Sequence, residues 1–155
     1  MPEVEIRGLK AEEASAWSGV LERVFFEDMA PQYEGFFLPW SSSKHPLSLA
    51  AFVDGQMVAG AGGLIVPEYK MAGFFGAATL KEFRGRGIQA AFMAARLKLA
   101  QQAGCDLAVT LTMPGTTSER NAERAGFQVA YTKVVVKKKY PASDGAGPVQ
   151  PQSAV

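Results

Sequence analysis

The segment TLKEFRGRGIQA, residues 79–90, decides the fold, because a predicted strand ends there, a turn with two glycines follows and a helix begins near Ile88. Glycine lets the backbone approach a ligand closely, and the first N–H groups of a helix have no partner within the helix. The helix dipole adds partial positive charge at this end, and Arg84 and Arg86 add formal charge. The segment therefore predicts a phosphate or pyrophosphate site, the alternative being a plain turn with two solvated arginines.

The same turn also fits the dinucleotide fingerprint G-x-G-x-x-A, at Gly85, Gly87 and Ala90. That fingerprint needs an acidic residue at the end of the next strand to bind a ribose. Here Asp106 stands at the start of that strand and Thr112 stands near its end. The preceding elements also read as antiparallel hairpins rather than a wound parallel sheet, so dinucleotide binding is disfavoured.

Around this turn, the hydrophobic pattern predicts a single mixed α+β domain. Asp54-Gly55 between two apolar runs predicts a hairpin, because a two-residue type I′ turn needs positive φ at both positions. The helix that follows the glycine turn carries one apolar face and ends at Gly104. Strands are predicted at residues 4–7, 47–53, 56–66, 73–80, 107–112 and 128–139, and helices at residues 11–26, 88–103 and 118–125, with an aromatic, irregular segment at residues 30–46.

Length, charge and composition exclude several classes of protein. The chain has 155 residues and a formal charge of +1, which suits one domain and lacks the basic footprint of a general nucleic-acid binder. With only Cys105 and His45, the sequence offers no internal disulfide and no multi-cysteine or two-histidine metal site, so we expect no metal. We see no signal peptide or membrane-spanning run and expect a cytoplasmic protein. The domain should cover residues 1–140, and residues 141–155 read as a disordered tail rich in proline and glycine.

Two motifs together resemble the GNAT superfamily of acyl-CoA-dependent N-acetyltransferases. The family signature is Gln or Arg, two residues, Gly, one residue, then Gly or Ala; Arg84 and Gly87 match it, while Gln89 departs and Ala90 follows one place later. The stretch SERNAERAGF, residues 118–127, looks like the family's short fourth helix with its Asn and terminal Gly-Phe. The resemblance implies a mixed, mostly antiparallel twisted sheet of about six to seven strands flanked by about four helices.

The resemblance also implies acetyl-CoA or another acyl-CoA as co-substrate. The CoA pyrophosphate would lie on the turn, the pantetheine arm would bond to backbone groups of the strand that ends at Leu80, and an amide of that strand would serve as oxyanion donor. The implied CoA-binding residues are Ala78, Leu80, Arg84, Gly85, Arg86, Gly87, Ile88, Gln89, Ala90 and Asn121.

Acyl transfer to an amine needs the neutral amine, so a base or a water chain is useful. Glu27, Asp28, Glu34, His45 and Glu68 are the candidates near the implied amine entrance. We favour Glu27 and Glu34, which flank the aromatic segment where desolvation raises a carboxylate pKa, although both also fit solvated surface acids. On the acceptor side we place Tyr33, Thr110 and Thr112, which alternatively pack with satisfied hydroxyls.

Many family members carry a tyrosine in the fourth helix that protonates the CoA thiolate, and counting back from Gly126 puts Ala122 there. Ser118, Asn121 or a water substitutes, or the thiolate leaves unassisted. Two hypotheses therefore stand: an N-acyltransferase acting on a small-molecule or peptide amine, and a catalytically silent acyl-CoA-binding sensor. The aromatic residues 33–40 fit a lid, a homodimer patch or core packing.

Overall fold

The computed structural model describes residues 3–26, 33–136 and 138. One five-stranded sheet in the order β1-β2-β3-β4-β5 forms its centre; the first four strands are antiparallel and β5 runs parallel to β4. The strands are β1 Val4–Gly8, β2 Leu49–Val53, β3 Gln56–Val66, β4 Met71–Thr79 and β5 Leu107–Thr110, and the helices are α1 Ala14–Phe25, α2 Leu38–Ser41, α3 Ile88–Gln102 and α4 Thr117–Arg124. The predicted α+β class is confirmed.

The Asp54-Gly55 hairpin is confirmed between β2 and β3. Val53 lies opposite Gln56, so the loop has two residues, and both take positive φ values of 49° and 78°. This is the backbone that a type I′ turn requires, and the dipeptide supplies it with little strain.

Helix α1 covers one face of the sheet through a buried tryptophan. Trp17 is fully buried, and its indole Nε1 donates a hydrogen bond of 2.9 Å to the carbonyl of Leu49. Gly60 of β3 makes room for it, because a β-carbon there would lie 2.6 Å from that nitrogen. The close approach of the indole thus requires glycine at this position.

Helix α3 covers the other face and carries a buried charge. Phe92 and Ile88 pack on β2 and β3, while Arg96 is 2% exposed and donates from Nη1 to the Gly62 carbonyl at 2.9 Å. Its guanidinium lies 4.7 Å from the centre of the Phe74 ring, and burial lowers its pKa to about 10. This side chain fixes α3 against β3 near the middle of the sheet.

The aromatic segment contains a short helix, α2, where the sequence predicted only irregular structure. Phe37 is 3% exposed, and its N–H donates to the hydroxyl of Ser18 in α1 at 3.2 Å. Trp40 packs edge-on against Phe75 with ring centres 4.4 Å apart. Of the three interpretations offered for this segment, core packing is confirmed for Phe37 and Trp40.

The prediction of about six to seven strands is wrong in number for the described residues. Residues 128–136, predicted as part of a further strand, have no regular secondary structure, and Val134 and Val136 are each 88% exposed. Alternation makes a segment fit for a strand, but the ladder also needs a partner edge, and none of the described residues supplies one. The predicted tail at residues 141–155 lies outside the described residues. Within the described ranges, no helix has the length and apolar character to cross a membrane.

Candidate active site

The glycine turn forms an open concave backbone between β4 and α3. After a 3-10 turn at Lys81–Phe83, Gly85 and Gly87 take φ values of +76° and +75°. A β-carbon at either glycine would meet no atom within 4 Å, so the surrounding space is free. Glycine is required here for its backbone conformation, and the open space suits a ligand that approaches the main chain.

The N-terminus of α3 presents amides without partners in the helix. Gly87 precedes the helix and caps it with no side chain, and the first turn contains no acidic residue. The first helical hydrogen bond runs from the Ala91 N–H to the Gly87 carbonyl, at 3.0 Å. The N–H groups of Ile88, Gln89 and Ala90 are therefore available to an anion, and the helix dipole favours one.

The two arginines of the turn differ in their contacts. Arg84 is exposed and donates from Nε to the Thr79 carbonyl at 3.2 Å. Arg86 is half-buried over the ring of Phe83, and its Nη1 is buried with no hydrogen-bond partner among the described residues. A buried donor without an acceptor is costly, so Arg86 is suited to meet a ligand oxygen.

Gln89 departs from the small residue of the family signature without filling the turn. Its amide Nε2 donates to the Thr79 hydroxyl at 2.8 Å, which holds the side chain against the end of β4. The departure therefore leaves the free helix amides accessible.

A cleft opens where β4 and β5 separate. The two strands pair only from Met71 opposite Leu107 to Phe74 opposite Thr110. At this last pair the hydroxyl of Thr110 donates to the Phe74 carbonyl at 3.3 Å. Past that point, no described residue pairs with the outer side of β4, so the cleft runs from this apex to the glycine turn.

A bulge in β4 lies beside the apex of the cleft. The register with β3 shifts between Gly60 and Gly62, and Gly76 takes a φ of +53°. A β-carbon on Gly76 would lie 3.1 Å from the ring of Trp40. The bulge thus sits directly under an aromatic wall built by α2.

The direction of the backbone groups on β4 follows from its register. The Leu80 N–H donates to the Val58 carbonyl at 2.9 Å, and Ala78 lies opposite Gly60, two residues earlier. Since alternate residues of an antiparallel strand point to the same neighbour, both face β3. Thr79, between them, directs its groups to the cleft, and the sequence reasoning missed it because the register was not known.

The sequence model of the Acetyltransferase (GNAT) family matches residues 10–127. The protein belongs to the GNAT acetyltransferase family. No curated protein sequence matches it.

Solved structures of other GNAT proteins share the fold. The aminoglycoside N-acetyltransferase AAC(6')-Iy in complex with the bisubstrate analogue CoA-S-monomethyl-acetylneamine is 20% identical with a TM-score of 0.71, over 89% of this chain and 99% of that one. AAC(6')-Ih from Acinetobacter baumannii is 21% identical with a TM-score of 0.68, over 90% and 100%. A ribosomal-protein-alanine N-acetyltransferase from Brucella melitensis biovar Abortus 2308 is 17% identical with a TM-score of 0.71, over 88% and 99%.

The candidate bases of this GNAT acetyltransferase lie on the α1 side of the sheet or outside the described residues. Glu27 and Asp28 belong to the latter group. Glu34, His45 and Glu68 are exposed. Next to Glu34, Tyr33 is half-buried and stacks on Phe26 with ring centres 4.6 Å apart, so its ring joins the aromatic wall.

The residues of α4 are brought to the opposite side of the cleft. Ser118 is exposed in the first turn of the helix, and the half-buried Asn121 accepts a hydrogen bond of 3.2 Å from Arg124 at its Oδ1. Ala122 is 5% exposed and contributes to the core. Thr112 is half-buried beyond β5, near the mouth of the cleft. The described residues contain no group of three His, Cys, Asp or Glu side chains that could hold a metal ion.

Proposed function

We propose that this acetyltransferase moves an acetyl or other short acyl group from acyl-CoA to a primary amine by direct attack. The observation that carries the proposal is the turn at residues 84–90, at the mouth of the cleft between β4 and β5. It offers free helix amides and an Arg86 guanidinium with an unmet donor. The oxygens of a pyrophosphate are the acceptors that such groups bind.

The chain's own groups would bind CoA along the length of the cleft. The amides from Gly85 to Ala90, with Arg84 and Arg86, hold the pyrophosphate. The cleft-facing backbone of β4 at Thr79 then takes the amide groups of the pantetheine arm, in place of the Leu80 N–H that already donates to β3. Asn121 reaches the same arm from α4.

The reaction joins the amine nitrogen to the acyl carbon and breaks the bond from that carbon to sulfur. A free amide of β4 near the bulge donates a hydrogen bond to the acyl oxygen as it gains charge. With a lysine-like pKa, on the order of one amine in a thousand is neutral at pH 7, so a base that removes the ammonium proton raises the rate. Glu27 and Glu34 flank the aromatic wall and are our candidates.

Sulfur leaves as a thiolate or takes a proton from the α4 side of the cleft. Ala122 occupies the position of the expected tyrosine and is buried, so it supplies no proton. Ser118, exposed on the first turn of α4, is the candidate relay. Because a free thiol has a pKa near 8.5, departure without assistance is also feasible.

The amine acceptor enters from the α1 and α2 side of the sheet. Tyr33, Phe36 and Trp40 build an aromatic wall there, and Thr110 and Thr112 line the opposite border of the cleft. A small-molecule or peptide amine with an apolar portion fits such a wall. The aminoglycoside and ribosomal-protein-alanine acetyltransferases of the same fold supply two acceptor classes to test.

Ligand binding and thiol release test the proposal in sequence. At about 100 times its Kd, CoA should stabilise the fold by about 2.7 kcal/mol in a thermal shift assay, whereas NAD and ATP should not. Thiol release from acetyl-CoA is then followed over a panel of aminoglycosides, small amines and peptide N-termini. Stabilisation by NAD alone would overturn the proposed site.

The buried Ala122 favours a second candidate function, an acyl-CoA-binding module without catalysis. Such a module binds CoA as tightly as the enzyme does and releases no thiol with any amine of the panel. Binding with release supports the transferase, and binding without release supports the module.

A further inference from the structure

The exposed apolar side chains of the molecule are concentrated in one part of the chain. Twelve large hydrophobic side chains are exposed among the described residues, and nine of them fall between residues 107 and 136. Monomeric proteins rarely expose apolar patches larger than a few hundred Å² unless a partner covers them. The nine are Leu107, Val109, Leu111, Met113, Val129, Tyr131, Val134, Val135 and Val136.

Strand β5 contributes an open edge and an uncovered face. It pairs with β4 on one side only, and no described residue pairs with its other edge. Leu107, Val109 and Leu111 alternate along it and are 56%, 41% and 78% exposed, whereas Ala108 between them packs on the α3 side. An exposed apolar edge strand of this kind is a template for pairing with another strand.

Residues 128–136 provide a strand-forming segment without a place in the sheet. From Gln128 to Lys139 the sequence contains no Gly, Pro, Asn or Asp, so it has no turn at which to fold back as a hairpin. Fully extended, this run of twelve residues spans roughly 40 Å, about three times the length of the four-residue β5. Its own β5 therefore cannot cover it.

We propose that this surface binds a second copy of the chain, each copy adding its segment 128–136 to the free edge of the other's β5. The open edge and the unplaced strand lie on the same chain, so a two-fold axis satisfies both at once and closes the assembly. The nine side chains offer each copy on the order of 1,000 Å² of apolar area, against the roughly 800 Å² per partner of a standard interface.

The full chain should accordingly sediment as a dimer of twice 16.6 kDa at micromolar concentration. The test variant is Val134→Pro with Val135→Pro, in which one of the two lost N–H groups lies in the ladder whichever way the strand faces. We expect self-association to weaken by about 30-fold, since two ladder bonds are lost per dimer. Val134→Thr with Val135→Thr is the control, because threonine keeps both the N–H groups and the preference for strands.

A second variant addresses the other half of the contact. Leu111→Arg places a charge on the exposed face beside β5 and should likewise give monomers, while Leu111→Met should not. Circular dichroism confirms that each variant is folded; if the proline variant is not, Leu111→Arg against Leu111→Met decides.

Mixing the two variants identifies the exchange itself. A heterodimer of the proline variant and Leu111→Arg retains one intact pair, formed by the natural segment of the second and the natural β5 of the first. We expect the mixture to associate although neither variant does alone. A monomeric wild type, which includes pairing of the segment with its own β5, overturns the proposal, as does a dimer that either folded variant leaves unchanged or a mixture that stays monomeric.

Discussion

The glycine turn at residues 84–90 and the segment at residues 128–136 carry equally clear sequence patterns and reach different ends. The turn is built from contacts within a few residues: positive φ at Gly85 and Gly87, and side chains of Arg84 and Gln89 that reach Thr79. The segment alternates as a strand should, and its valines stand in solvent. A local pattern fixes structure where the chain itself supplies the partner groups, and leaves it open where another strand must supply them.

The largest effect is expected from a negative charge placed in the turn. Gly87→Asp should weaken CoA binding by roughly 100-fold, because a carboxylate would stand beside the phosphates in low-dielectric surroundings. Gly87→Asn is the matched control, since Asn and Asp tolerate positive φ about equally and differ in charge. Isothermal titration calorimetry with CoA measures both. Equal affinities for the two variants would show that the turn is not the anion site.

A smaller effect should separate the two arginines. Arg86→Gln should lower CoA affinity by about tenfold, because it removes a charged donor that has no partner in the protein. Arg84→Gln should lower it less, since the Arg84 Nε is already engaged with the Thr79 carbonyl. The same titrations decide the order, and a larger loss for Arg84 would contradict the geometry of the turn. The melting temperature of the unliganded protein should not fall in Arg86→Gln.

A pH effect tests another locally built feature, the pair of Arg7 and Glu13. The hydrogen bonds of Glu13 to the Arg7 guanidinium, at 2.6 and 2.8 Å, and to the Lys10 N–H lower its pKa from 4.5 to about 2. A lowered carboxylate pKa stabilises the fold above the unfolded value, and this contribution is lost as the pH falls from about 4.5 to about 2. Glu13→Gln should flatten the decline of urea stability in that window.

The control for that measurement is Glu12→Gln, a change at the neighbouring exposed carboxylate. It should leave the pH dependence of the wild type unchanged. Because the pair lies within one copy, the effect should be the same at low and high protein concentration.

The smallest effect is expected from Val136→Thr, measured at nanomolar concentration where the protein is monomeric. A substitution at a side chain that contacts nothing should change the free energy of unfolding by no more than about 0.5 kcal/mol. Urea unfolding followed by tryptophan fluorescence provides the value. A loss of several times this size would place the segment in the core of its own chain.

The sequence predicts those parts of the fold that depend on neighbouring residues. Asp54-Gly55 sets the hairpin and the turn before Ile88 starts α3, and both are confirmed. The direction of the β4 backbone was not accessible, because the bulge at Gly76 sets which of Ala78 and Thr79 faces the cleft. The helical turn of α2 depends on the long-range bond from Phe37 to Ser18. The base assigned to Glu27 or Glu34 stays a prediction.

Thr79 joins the two sides of the glycine turn. Its carbonyl accepts from Arg84 before the glycines, and its hydroxyl accepts from Gln89 after them. Two glycines alone would give this loop many conformations to lose when a ligand arrives. With both flanks tied to one residue, most of that entropy is lost when the chain folds, and little of it remains to weaken the binding step.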